Sequence, residues 1–200
     1  MHIKLIFASL TVLFLIDRGF SQDLPTPKGW QVEKFALPPQ FANTIPVNGT
    51  EDIRFSPEWA KKHTDGYWTY CFLWTINSNQ TFTTSDFEQY LHDYYTGLIR
   101  NNLIKAKIDT AIATPVKVKL HKIEVDKTDK QAFEGVVDML DYITQDPIKL
   151  NFRIHIKKQT PGNKGTTIFF EASPQPYNHK VWLEMNNIND QLISYWRKTD

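Results

Sequence analysis

The sequence predicts an α+β fold: a single domain in which a mainly antiparallel β-sheet is packed by two longer helices. Strand-like segments follow one another in consecutive runs instead of alternating with helices, the pattern of an antiparallel sheet. Only two segments, one after Ser85 and one from about Asn178, repeat apolar residues at helical spacing over several turns. With 200 residues, 41% of them hydrophobic and 22% charged, the chain can bury one sizeable core, and neither a repeat nor a second domain is visible in it.

Residues 1–21 read as a secretory signal peptide. Met1-His2-Ile3-Lys4 carries positive charge, Leu5 to Ile16 is apolar or small, and Gly19-Phe20-Ser21 places small residues ahead of a cut before Gln22. An apolar run of about 12 residues falls short of the roughly 20 that cross hydrocarbon, and no later segment is apolar enough, so no membrane span is expected. No Cys follows the run, which excludes a lipoprotein anchor. Cleavage leaves 21 basic and 21 acidic side chains, a net charge of zero. Nucleic acid is therefore not an expected partner. The single Cys excludes an internal disulfide and a sulfur-based zinc or iron–sulfur site. Since secreted animal domains usually carry disulfides, the chain reads as a bacterial periplasmic or extracellular protein, and the sequons at Asn48 and Asn79 as chance.

Gln22 to Gly29, with Pro25 and Pro27, reads as an extended leader into a domain over 30–200. Gln31–Leu37 and Glu51–Phe55 are short strands separated by Pro38-Pro39, Pro46 and Asn48-Gly49, all turn chemistry. Ser56-Pro57-Glu58 offers a cap, a first-turn Pro and an acid for a short helix over Glu58–Lys62. Tyr67–Ile76 is the strongest strand: Trp68, Tyr70, Phe72, Trp74 and Ile76 share one face and neither face is charged, so it should be central and covered on both sides. Ser85 with Glu88 suggests a capping box for an amphipathic helix carrying Phe87, Leu91, Tyr94 and Leu98 and ending near Asn101-Asn102. Residues 102–114 fit either a helix continuation or a turn. Val116–Val125 alternates and then changes phase at Ile123, which suggests a bulge. After a polar turn over Asp126–Gln131, Phe133–Leu140 and Ile148–Lys157 form an antiparallel hairpin with one wet face. A turn over Pro161–Gly165 leads to a buried last strand, Thr166–Ala172. The stripe Val181, Met185, Ile188, Leu192 and Trp196 then forms a terminal helix that docks on the sheet.

This element order resembles the sandwich of the Mog1 and PsbP-like domains, in which an antiparallel sheet carries helices on its faces. The resemblance implies the fold and assigns no residue a function.

No catalytic motif is present, so candidate residues come from residue type and placement. Glu51, Asp138 and Asp141 are the carboxylates a hydrolase of envelope or dietary polymers would use, although carboxylates spaced along one strand are also ordinary solvent-face decoration. Six Trp in 200 residues invite a sugar-binding reading. Trp30, Trp59 and Tyr177 fall in loops where a ring could meet a pyranose, while Trp68, Trp74, Trp182 and Trp196 fit core positions. His121 and His155 lie on polar strand faces and could converge with Asp or Glu on a metal, but no tight ligand spacing occurs and no cofactor is expected. Glu88, His92 and Asp93 on the first helix read as a surface pairing rather than an acid–base pair. Cys71, mid-strand, reads as a buried inert thiol. The leading expectation is a non-catalytic binding or accessory module for a small ligand, a glycan or an envelope protein. The alternatives are the carboxylate-dependent hydrolase and a structural envelope protein that pairs through an exposed sheet edge or apolar patch.

Overall fold

The computed structural model describes residues 24–159 and 165–199, with side chains up to 193. The expected signal peptide over 1–21, the expected cut before Gln22, the expected turn at 161–164 and the Trp196 side chain lie outside what is described. Among the described residues one antiparallel sheet forms from β1 (Gln31–Leu37), β2 (Gly49–Phe55), β3 (Tyr70–Ile76), β4 (Lys117–Ile123), β5 (Asp129–Leu140), β6 (Pro147–Lys157) and β7 (Thr166–Ser173). Its spatial order is β1-β2-β3-β7-β6-β5-β4. Helix α1 (Thr84–Lys105) follows β3 and α2 (Lys180–Thr199) follows β7. The α+β class, the antiparallel sheet and the two longer helices are as the sequence predicts. No described helix is long and apolar enough to cross a membrane.

Side-chain alternation sorts the strands onto two faces. Tyr70, Phe72, Trp74 and Ile76 of β3 join Ile168 and Phe170 of β7 and Leu150, Phe152 and Ile154 of β6 in the larger core. α1 closes it, because Phe87, Leu91, Tyr94, Tyr95, Ile99 and Leu103 recur at helical spacing on its inner side. Phe72 stacks on Phe170 with centroids 4.3 Å apart. The opposite face holds a smaller core in which Cys71, Leu73 and Phe169 meet Val181, Trp182, Met185, Ile188 and Leu192 of α2. β3 is thus covered on both sides, as its uncharged faces predict.

Several local expectations are corrected. No helix forms over Glu58–Lys62: the stretch is a series of turns, with Trp59 N–H donating to the Ser56 carbonyl and Lys61 N–H to that of Glu58. β3 starts at Tyr70 and not Tyr67, because Trp68 takes φ +49°, a left-handed conformation that ends a strand. The capping box sits two residues earlier than Ser85: the Thr83 hydroxyl accepts from Asp86 N–H at 3.2 Å and the Asp86 carboxylate accepts from Thr83 N–H at 2.7 Å. α1 runs on to Lys105, which places part of the ambiguous stretch 102–114 in the helix. β4 is regular, and the irregular register lies in its partner β5 between Asp129 and Gln131.

The leader is also more deeply engaged than its composition suggests. Leu24 is only 2% exposed and packs in the smaller core with Trp30. Its N–H donates to Asp52 Oδ2 at 2.8 Å, and its carbonyl accepts from the Arg54 guanidinium, which also pairs with Asp52. Two buried charges of β2 therefore satisfy each other and pin the incoming chain across the sheet.

Candidate functional site

The face of the sheet toward α2 carries the chemistry. One register row across six strands reads His121 on β4, Glu134 on β5, Arg153 on β6, Glu171 on β7, Cys71 on β3 and Arg54 on β2. Charges largely alternate along it, so cross-strand neighbours attract. Arg153 Nε donates to Glu134 at 2.6 Å, and its guanidinium lies 4.6 Å from the Tyr177 ring centre and 5.4 Å from that of Trp182. The Cys71 thiol is fully buried. Burial pushes its pKa well up, Glu171 adds to the rise and Arg54 opposes it, so it is the inert thiol the sequence suggests.

At the next row the polar residues become a cluster. Asp129 Oδ1 accepts from Lys157 Nζ at 2.7 Å, and Asp129 Oδ2 lies 2.6 Å from His155 Nδ1. The other imidazole nitrogen, Nε2, is 3.3 Å from Glu171 Oε2. Burial alone would depress the His155 pKa, but the hydrogen bonds to Asp129 and Glu171 outweigh it and hold the imidazolium up to about 9. Asp126, exposed at the rim, completes a set: Asp126, Asp129 and His155 each offer one ligand atom, and these lie within 4.8 Å of one another. Burial would raise the Asp126 carboxyl pKa. Hydrogen bonds from Thr128, with the nearby charges of Lys157 and His155, lower it instead.

The bulge in β5 makes this cluster. His155 pairs with Ala132 and Ile156 with Gln131, but Lys157 pairs with Asp129, so Lys130 is the extra residue. Strict alternation would turn Asp129 to the α1 face. The inserted residue returns it to the α2 face, beside Lys157 and His155, the re-aiming that bulges accomplish.

The sequence-predicted carboxylates are not brought together. Glu51 is fully buried under α1, where Tyr94 Oη donates to its Oε1 at 2.8 Å. Burial pushes its carboxyl up to about 8, against the hydrogen bond from Tyr94 and the nearby Trp74 indole, while neither Trp74 Nε1 nor Glu51 Oε2 meets hydrogen-bond geometry. Asp138 lies on the other face of β5, half exposed, 3.5 Å from Lys149 Nζ. Asp141 is buried and caps its own loop, accepting from Ile143 N–H and Thr144 Oγ1 at 2.8 Å each and from the Tyr67 hydroxyl.

The three aromatic candidates are likewise engaged. Trp30 belongs to the smaller core and is 8% exposed, so it is no loop platform. Trp59 is half-buried against Phe55, 4.8 Å between centroids. Tyr177 donates to the carbonyls of Gly135 and Phe152 and lies beneath Arg153. No shared sugar-stacking face results. Of the two histidines, His155 meets the carboxylates of Asp129 and Glu171, whereas His121 lies exposed on the edge strand β4 opposite Glu134. On α1 the Glu88 carboxylate accepts from Leu120 N–H at 2.9 Å, tying helix to sheet, and His92 sits 3.1 Å from Asp93.

Sequence reasoning misses Asp126, Asp129, Lys157 and Glu171 as members of one cluster. The available signal is a lone Glu in the apolar run Ile168-Phe169-Phe170-Glu171-Ala172, because a central strand tolerates a charge only when its neighbours answer it. Compared with protein families, curated proteins and solved structures, the chain matches none.

Proposed function

We propose that this chain is an exported, non-catalytic binding module for a polar ligand of the small-molecule or glycan class. The observation that carries the reading is the fate of the candidate carboxylates. Glu51 is enclosed beneath α1, Asp138 faces the opposite side of the sheet, and Asp141 is spent on its own loop. A glycosidic mechanism needs two carboxyl groups across one open cleft, within roughly 5 to 10 Å, and any pair drawn from these three includes an acid that is closed to solvent.

The concavity suited to recognition lies elsewhere. A depression of about 360 Å³ runs between α1 and the 3-10 turn Gln40–Ala42, bordered by Asn43, Thr44, Asp93, Arg100 and Asn101. Gly97 makes the two segments meet, since any Cβ there would collide with the Phe41 carbonyl. Amides, hydroxyls, a carboxylate and a guanidinium share this shallow depression with Phe41 and Ile104, a mixed lining that suits a polar ligand with an apolar face, as sugars have.

The test is binding of the untagged chain lacking residues 1–21 to a glycan and peptide array, followed by titration of the strongest hit and assay for its cleavage. Saturable binding, weakened about tenfold or more by Arg100→Ala and without cleaved product, is the expected result. Turnover of the bound polymer would replace this reading with the hydrolase. Absence of any binding would favour the structural protein, whose surface would be the exposed edge strand β1, where Val32 is 56% exposed.

A further inference from the structure

We infer that Asp126, Asp129 and His155 form a binding site for a divalent transition cation at the open end of the α2 face, independent of the ligand reading above. The donor set is mixed: two carboxylates and one imidazole, whose ligand atoms already lie within 4.8 Å of one another. Mixed nitrogen and oxygen ligands select zinc-like ions over magnesium or calcium, which prefer oxygen alone.

Three features point to a ligand rather than to a closed ion-pair network. The first is the bulge, which turns Asp129 toward His155 at the cost of regular pairing. The second is Glu171. It is 0% exposed, one oxygen faces His155 Nε2, and the other, Oε1, has no hydrogen-bond partner. His155 Nδ1 lies 2.6 Å from Asp129 Oδ2, and with a cation in place of the proton they share, Nε2–H donates to Glu171, the carboxylate–histidine relay that orients metal-bound imidazoles. Glu171 is thus a positioning residue and the other three are ligands.

The third feature is charge. Asp126, Asp129 and Glu171 against Lys157 leave two negative charges once a divalent cation displaces the His155 proton, and that cation balances them. Lys157 does not compete for the site, because it holds Asp129 Oδ1 at 2.7 Å while Oδ2 is the oxygen facing His155. Asp126 Oδ1 is used by Thr128 and by the Asp129 N–H, which fixes the carboxylate at the rim. Its exposure gives the ion a path in.

The experiment is calorimetric titration of zinc into the untagged, chelator-treated chain, repeated with cobalt to read its visible spectrum. One ion per chain is expected, with a cobalt spectrum typical of mixed nitrogen and oxygen ligation. Asp126→Asn, at an exposed position, should weaken zinc binding at least about tenfold while leaving the melting temperature of the metal-free protein unchanged, and Glu171→Gln should weaken it about 10- to 100-fold. No saturable zinc binding by the folded chain would overturn the inference. Binding equally tight in Asp126→Asn and His155→Gln would do the same, by placing the ion elsewhere.

Discussion

Ile188→Asp is expected to abolish the folded state, giving an aggregated or molten product. Ile188 is fully buried in the smaller core, where α2 meets Cys71, Leu73 and Phe169. Removing its side chain from that contact forfeits about 1.5 to 3 kcal/mol of burial, and the carboxylate left in its place would be buried in an apolar cluster. The combined loss exceeds about 4 kcal/mol, a large part of the 5 to 15 kcal/mol typical of a domain. Truncation before Asn178 should behave alike, since it removes the whole of α2. Asn187, exposed on the outer side of the same helix, is the control: Asn187→Asp should change stability by less than about 0.5 kcal/mol. Urea unfolding followed by tryptophan fluorescence reads both. An Ile188→Asp variant as stable as wild type would mean that α2 is not docked through this face.

Glu51→Gln is expected to stabilise the protein, and increasingly so as pH rises. The folded-state pKa of Glu51 is raised from 4.5 to about 8 by burial, so between those values the unfolded chain releases a proton that the folded chain keeps. Stability then falls with rising pH through that window, by about 1.4 kcal/mol per pH unit for this group alone, and levels off above pH 8. Gln keeps the shape and an acceptor for Tyr94 but does not titrate. The two proteins should therefore be similar near pH 4.5, and the variant should gain at least ~2 kcal/mol by pH 8. Parallel stability curves from pH 4 to 9 would show that Glu51 ionises freely in the folded protein.

The parts of the fold legible in the sequence are those where one period runs undisturbed. β3 announces itself because both faces are uncharged and aromatic, and α2 because its apolar stripe repeats over several turns. Trp68 escapes the strand pattern because its left-handed backbone leaves no mark on residue type. The bulge at Lys130 is hidden for a related reason: it falls in the polar run Asp126–Gln131, where alternation carries no signal, and only the partner strand β6 defines it. His155 is legible as a polar-face residue, but its neighbours are not. Asp129 reaches it through the bulge and Glu171 through pairing of β6 with β7, both long-range facts of register. Glu51 looks like a solvent-facing acid in the sequence, and becomes buried because α1 lays Tyr94 across it.

The central claim is that two of the three acids a hydrolase would need, Glu51 and Asp141, are enclosed by the architecture and not offered to a substrate. Carboxyl labelling of the native protein with a water-soluble carbodiimide and an amine, mapped by peptide mass spectrometry, tests it most directly. Asp138, Glu58 and Asp146, which are at least half open to solvent or nearly so, should be modified quickly. Glu51, Asp52, Asp129, Asp141 and Glu171, all at or below 3% exposure, should remain unlabelled until the protein is denatured. Rapid native labelling of Glu51 together with Asp141 would contradict the account, since both would then be open to a substrate.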